Sequence, residues 1–268
     1  MKPITRISPR DSDSQDFTGE TASIQLKDIC LRIPVQTTET RSLKSILKRS
    51  VTGGVLRRSA GGAEIEALRD INCTIRYGER VALIGHNGAG KSTFLRLISG
   101  IYKPTAGSFS ANFPVYPMIQ KGFITSSDLS GLQAAKGHYL LNHGNLRGFA
   151  EFLEDVIGFS GLGDFIHLPL KGYSEGMASR LLFAMLTAIP HQCLALDEGF
   201  GTGDAKFYEQ AKLRMQNFVS GAGTLILASH SEELLKQFCI RGLVFSQGRI
   251  VCDTSLEDAL LFYHEECS

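Results

Sequence analysis

Several absences narrow what this chain can be. No apolar stretch reaches the roughly 18 residues that a membrane-crossing helix needs. The longest candidate, Leu181 to Ile189, stops at Pro190 and reads as a buried helix. Residues 1–20 are polar and charged, with no apolar core of the kind a secretion signal carries, and their Ser, Asp, Thr and Arg content predicts a disordered tail. The six cysteines (Cys30, Cys73, Cys193, Cys239, Cys252, Cys267) form no close pairs, which argues against a disulfide frame or a zinc site and for reduced thiols. Neither sign of charge dominates: 28 Lys and Arg against 27 Asp and Glu leave a formal net charge of +1. That balance lacks the basic footprint of a nucleic-acid binder. There are no internal repeats. Any membrane role is therefore peripheral.

What is present is an ordinary globular composition, 43% hydrophobic and 21% charged over 268 residues, enough for a substantial core. A first strand is expected around Ile24–Ile33. The basic amphipathic stretch Arg41–Arg49 reads as a surface helix, with contact to a lipid surface or a membrane partner as the sharper alternative. The Gly/Ser/Arg segment Thr52–Gly62 reads as a loop. From Glu66 onward short apolar runs alternate with longer amphipathic ones. Val81–Ile84, Cys193–Leu196 and Thr224–Ala228 are continuous apolar runs, as strands buried on both faces should be. Helices between them predict parallel crossovers and an α/β core. Residues from about 129 to 189 lack strand signals and read as a helical insert. Gly242–Val251 reads as a hairpin around Ser246-Gln247-Gly248, and Ser255–Tyr263 as a last helix. One domain is expected over 21–268.

The chemistry begins at Gly85-His86-Asn87-Gly88-Ala89-Gly90-Lys91-Ser92-Thr93, set between the strand Val81–Ile84 and a helical run from Phe94. Strand, glycine-rich loop and helix in that order make a phosphate-binding P-loop. Glycines let successive N–H groups converge on phosphate oxygens with the positive helix end behind them. Lys91 is expected on the β- and γ-phosphates and Ser92 on Mg²⁺.

A second cluster lies downstream. Cys193–Leu196 is an apolar strand ending in Asp197-Glu198. Asp197 suits the acid that holds Mg²⁺, and Glu198 is placed to polarise an attacking water. Burying two adjacent carboxylates at a strand end carries a desolvation cost that few structural roles justify. Upstream, Tyr173-Ser174-Glu175-Gly176-Met177 opens a helical run, with Ser174 as its N-cap.

This arrangement resembles the signature motif of ATP-binding cassette (ABC) proteins, in a variant beginning Tyr-Ser and ending Gly-Met. The resemblance implies that Ser174 and Gly176 bind the γ-phosphate of ATP held by the opposite subunit. It also identifies Gly203-Asp204, within Phe200–Ala205, as the D-loop, and His230, after the strand Thr224–Ala228, as the switch histidine facing the γ-phosphate. The resemblance gives Gln120 as the counterpart of the glutamine that links nucleotide to the membrane subunit and helps to hold Mg²⁺, with a plain loop glutamine as the alternative. Ile33-Pro34-Val35, Gly100–Gly107 and Gly203-Asp204-Ala205 further resemble the exporters of O-antigen and capsular polysaccharides.

The resemblance implies an α/β P-loop NTPase with a mainly parallel core sheet, an antiparallel β portion and a helical subdomain. It implies an ATPase using ATP and Mg²⁺, acting as a homodimer on two copies of a separate transmembrane permease. A lipid-linked glycan would cross the inner membrane, with this subunit peripheral on the cytoplasmic face. Some members carry a carbohydrate-binding domain after the cassette, and none is expected within these 268 residues. The alternatives are export of another glycolipid such as teichoic acid, a soluble ABC ATPase outside transport, and an ATP-sensing module without turnover.

Overall fold

The structure, a computed structural model, describes residues 23–35, 55–59, 62–118, 126–197 and 205–266. The chain divides into two compact units, one drawn from 19–120, 191–199 and 219–268, the other from 121–190 and 200–218.

The first unit holds both sheets. Strands β1 (Ser23–Val35), β2 (Val55–Ser59), β3 (Gly62–Arg76) and β5 (Ala106–Ala111) form an antiparallel sheet in the order β2-β3-β1-β5. On β1 the buried apolar residues are Ile24, Leu26, Ile29 and Leu31; on β3 they include Leu68, Ile71, Cys73 and Ile75. Each series breaks the period of two once, and the register shifts there. Asp28 and Asp70 take up the extra residue with φ of 52° and 48°. These are β-bulges, which return the next apolar residue to the core face. Asn72 stitches the β1 bulge, accepting from the Asp28 N–H at 2.9 Å and donating Nδ2 to Asp28 Oδ1 at 3.1 Å.

The expected loop over Thr52–Gly62 is in part a strand. Val55–Ser59 pairs antiparallel with β3, from Val55 opposite Glu66 to Ser59 opposite Gly62. Glycine, serine and arginine content lowers the local strand preference. The exposed ladder of β3 supplies backbone partners that composition does not reveal.

The second sheet of this unit runs β10-β9-β4-β8-β7-β6. Its members are β4 (Arg80–Ile84), β6 (Tyr116–Met118), β7 (Cys193–Asp197), β8 (Thr224–Ala228), β9 (Arg241–Ser246) and β10 (Arg249–Ser255). Strands β9, β4, β8, β7 and β6 are mutually parallel, and β10 folds back antiparallel on β9. Helices α1 (Lys91–Ile98), α6 (Glu232–Phe238) and α7 (Leu256–Glu266) belong here. Phe94, Leu95 and Leu97 of α1 pack with Leu83, Ala195, Ile226 and Phe245 in one core with the apolar faces of β1 and β3. Arg241 ties the strands at one edge, bonding both carboxylate oxygens of Asp253 at 2.7 Å, Glu79 at 2.6 Å and the Thr74 carbonyl at 2.9 Å.

The other unit is helical: α2 (Gly131–His143), α3 (Phe149–Ser160), α4 (Glu175–Thr187) and most of α5 (Ala205–Gly221). A capping box starts α2, with Ser130 Oγ accepting the Gln133 N–H and Gln133 Oε1 accepting the Ser130 N–H. Ala135, Val156, Ile166, Leu181 and Met185 form its core. Among the described residues no helix is long and apolar enough to cross a membrane. The tail 1–20 and the basic stretch 41–49 lie outside the described residues.

Candidate functional site

Parallel strands share one carboxyl edge, and ligands of open α/β sheets bind there. In this sheet Asp197, the last residue of β7, stands opposite Ala228 of β8, and Ala228 stands opposite Leu83 of β4. Register alone therefore brings three chain ends together: Asp197, the Ser229-His230 pair after β8, and the loop that leaves β4.

That loop needs glycine. Gly85, Gly88 and Gly90 have φ of 145°, 83° and 116°, which side-chain-bearing residues rarely adopt. A Cβ on Gly85 would also lie 2.5 Å from the Phe245 carbonyl oxygen. The Ala89 N–H donates to the His86 carbonyl at 3.1 Å, closing a turn, and the Phe94 N–H donates to Gly90 at 2.8 Å, opening α1. No side chain caps α1 at Gly90. The amides of Lys91, Ser92 and Thr93 in its first turn thus project from the helix end, where the dipole favours an anion. Lys91 is buried, and its Nζ donates to the carbonyls of Gly85 and, at 3.1 Å, of His86. An ammonium curled over its own loop, beside the first-turn amides of α1, fits a polyphosphate chain. The hydroxyl of half-buried Ser92 and the carboxylate of half-buried Asp197 are hard oxygen donors of the kind Mg²⁺ takes.

His230 joins the same loop: its Nε2 lies 2.8 Å from Asn87 Oδ1. The turn carrying it is set by Ser229 Oγ, which accepts the Ser231 N–H at 3.0 Å, and by Ser231, which caps α6 through the Leu234 N–H. The structure thus groups Gly85 through Thr93 and His230 at the sheet edge where Asp197 ends β7. Gln120, Glu198 and Asp204 lie outside the described residues. Ser174 and Gly176 are in the helical unit, where Ser174 caps α4 by accepting the Met177 N–H at 3.2 Å.

One support was not legible as such. The Gln247-Gly248 turn between β9 and β10, read from sequence only as a hairpin, braces the glycine-rich loop. The Gly248 N–H donates to the Ala89 carbonyl and its own carbonyl accepts the Arg69 N–H, both at 2.8 Å. The Arg69 guanidinium holds the Gln247 carbonyl.

Comparison with known proteins agrees with this geometry. Residues 68–201 match the family model described as ABC transporter. The chain is 35% identical over 229 residues to the O-antigen export system ATP-binding protein RfbE of Yersinia enterocolitica, covering 85% of this chain and 96% of that protein. It is 31% identical over 198 residues to the capsule polysaccharide export ATP-binding protein CtrD of Neisseria meningitidis serogroup B, covering 74% of this chain and 89% of that one. Its fold matches a dimeric post-hydrolysis structure of the ATP-binding cassette MJ0796 bound to ADP and Pi, with TM-score 0.61, 19% identity, and coverage of 87% of this chain and 98% of that chain. Strand-end acid, glycine loop and histidine at one sheet edge, together with these likenesses, establish that the chain belongs to the ABC transporter family and carries its ATPase cassette.

Proposed function

We propose that this chain is the ATP-hydrolysing subunit of an exporter that moves a lipid-linked polysaccharide, of O-antigen or capsule type, across the inner membrane. The cassette would work from the cytoplasmic face, as a homodimer seated on two copies of a separate permease. The observation that carries the ATPase reading is the convergence of Lys91, Asp197 and His230 around one carboxyl edge. The names of the relatives in O-antigen and capsule export support the substrate class.

In this reading Lys91 and the first-turn amides of α1 bind the β- and γ-phosphates. Ser92 and Asp197, with Gln120, would hold Mg²⁺, which supplies charge neutralisation at the phosphoryl oxygens. Glu198 takes the proton of the attacking water, while Lys91 and His230 stabilise the charge that develops on the transferred group. Ser174 and Gly176 of a second copy close the cage, with Asp204 at the subunit junction. Each protomer contributes only part of the enclosure, so ATP joins the pair and hydrolysis releases it.

Replacing the catalytic base tests this directly. Glu198→Gln should lose about 10²–10⁴-fold in turnover, equivalent to about 3–5 kcal/mol. It should still bind ATP and should accumulate as a closed dimer in size-exclusion chromatography with ATP. A monomer under those conditions refutes the shared-cage mechanism. Turnover within tenfold of the parent removes Glu198 as the base.

A further inference from the structure

The P-loop residue Asn87 has a side chain that the phosphate-binding role does not use. Its carboxamide oxygen meets His230 Nε2 at 2.8 Å, across 143 positions of sequence. The residue is held from a second direction too, because His86 Nδ1 lies 2.8 Å from the Asn87 carbonyl oxygen. On the other side, the hydrogen bond from Ser231 to Ser229 and the Ser231 cap fix the backbone on which His230 rides. The bond to Asn87 Oδ1 restrains rotation of the His230 ring on that backbone.

We propose that Asn87 is a positioning residue that selects the tautomer and ring orientation of His230. A carboxamide oxygen only accepts, so the neutral imidazole beside it carries its hydrogen on Nε2. A phosphoryl oxygen is likewise an acceptor only. Asn87 therefore makes the same demand on Nε2 that the γ-phosphate makes, and the ring arrives at the phosphate already in the donor form. Alanine at this position removes the restraint and admits the Nδ1–H tautomer, which presents a lone pair where a donor is required. The role rests on the reading of His230 as the γ-phosphate contact.

The contact itself is read in the protein alone, by long-range ¹H–¹⁵N NMR of histidine-labelled protein, with the His230 signal assigned by its loss in His230→Ala. The parent should show the Nε2–H form at His230, and Asn87→Ala should show a mixture with the Nδ1–H form. Steady-state ATPase rates then test the consequence. Asn87→Ala should lower kcat about tenfold with KM for ATP within about twofold, and should add less than about twofold in a His230→Ala background. Asn87→Ser, which keeps an acceptor but shortens its reach, should fall between parent and alanine. An unchanged His230 tautomer in Asn87→Ala, or losses that multiply in the double variant, overturns the proposal. Parental turnover in His230→Ala instead overturns the γ-phosphate reading beneath it, and the two failures differ because the NMR signal needs no nucleotide.

Discussion

The amide of Gly248 donates to the carbonyl of Ala89 at 2.8 Å, so the β9–β10 turn supports the glycine-rich loop after β4. Gly248 has φ of 78°, and a Cβ there would come 2.6 Å from the Ala67 carbonyl oxygen. Gly248→Ala combines left-handed strain with a backbone clash and should cost about 2–3 kcal/mol. The turn must retreat, so KM for ATP should rise along with the loss of thermal stability. Parental melting temperature and KM together would show that the brace is incidental.

Lys91 bonds two carbonyls of its own loop, and a triphosphate would compete for the same three ammonium hydrogens. Lys91→Ala should lose ATP binding by at least about 100-fold, in line with the removal of a buried charge-assisted contact of about 3 kcal/mol or more. Equilibrium binding of a fluorescent ATP analogue measures this. Undiminished affinity would contradict the assignment of the lysine.

In the helical unit, Arg214 reads as a structural clamp. Its Nε donates to Thr187 Oγ1 at 2.7 Å, its guanidinium forks onto the Asp155 carboxylate, and its carbon sits 4.3 Å from the Phe159 ring centroid. The arginine side chain is 17% exposed and the Asp155 side chain 47% exposed. Arg214→Ala should therefore destabilise by about 2–3 kcal/mol, through lost packing and loss of the donor to Thr187 Oγ1, while Asp155→Ala should cost no more than about 1 kcal/mol. Urea denaturation of the two variants separates these values. Equal losses would assign the energy to the ion pair alone.

His138 gives the same unit an acid limit. It is fully buried, and burial lowers its pKa from 6.5 to about 4, against a smaller upward effect of a hydrogen bond to the Met185 backbone. The folded pKa lies below the unfolded one, so the unfolded chain takes up the proton first as pH falls. Stability should drop between pH 6.5 and 4, by about 2 kcal/mol at pH 5 relative to pH 7. His138 stacks on Phe152 with centroids 6.1 Å apart, so His138→Phe keeps an aromatic ring while removing the titration. Thermal melts at the two pH values should show a smaller difference in that variant than in the parent. An identical difference would place the acid sensitivity elsewhere.

Local pattern was sufficient wherever a residue's role follows from its immediate neighbours. The runs at Val81, Cys193 and Thr224 are almost wholly apolar because both faces of a parallel sheet are covered, and that shows without a fold. Gly85 to Thr93 reads as a candidate phosphate loop without a fold, because phosphate binding needs consecutive residues of one loop. The strand at Val55–Ser59 escaped notice for the opposite reason, since its stability comes from β3, not from its own composition.

Chain order was enough to single out the glycine-rich loop and the acid at the end of its strand, since each is a short-range signal, while the histidine after the next strand was singled out by the family resemblance. The pairing of β4 with β8 and of β8 with β7 decided that these pieces meet, because hydrogen-bond register between distant segments is a property of the assembled sheet. The same long-range packing put Gly248 behind Ala89 and Asn87 against His230. No local preference encodes contacts between residues so far apart in sequence, and only closure of the core makes their entropy cost tolerable.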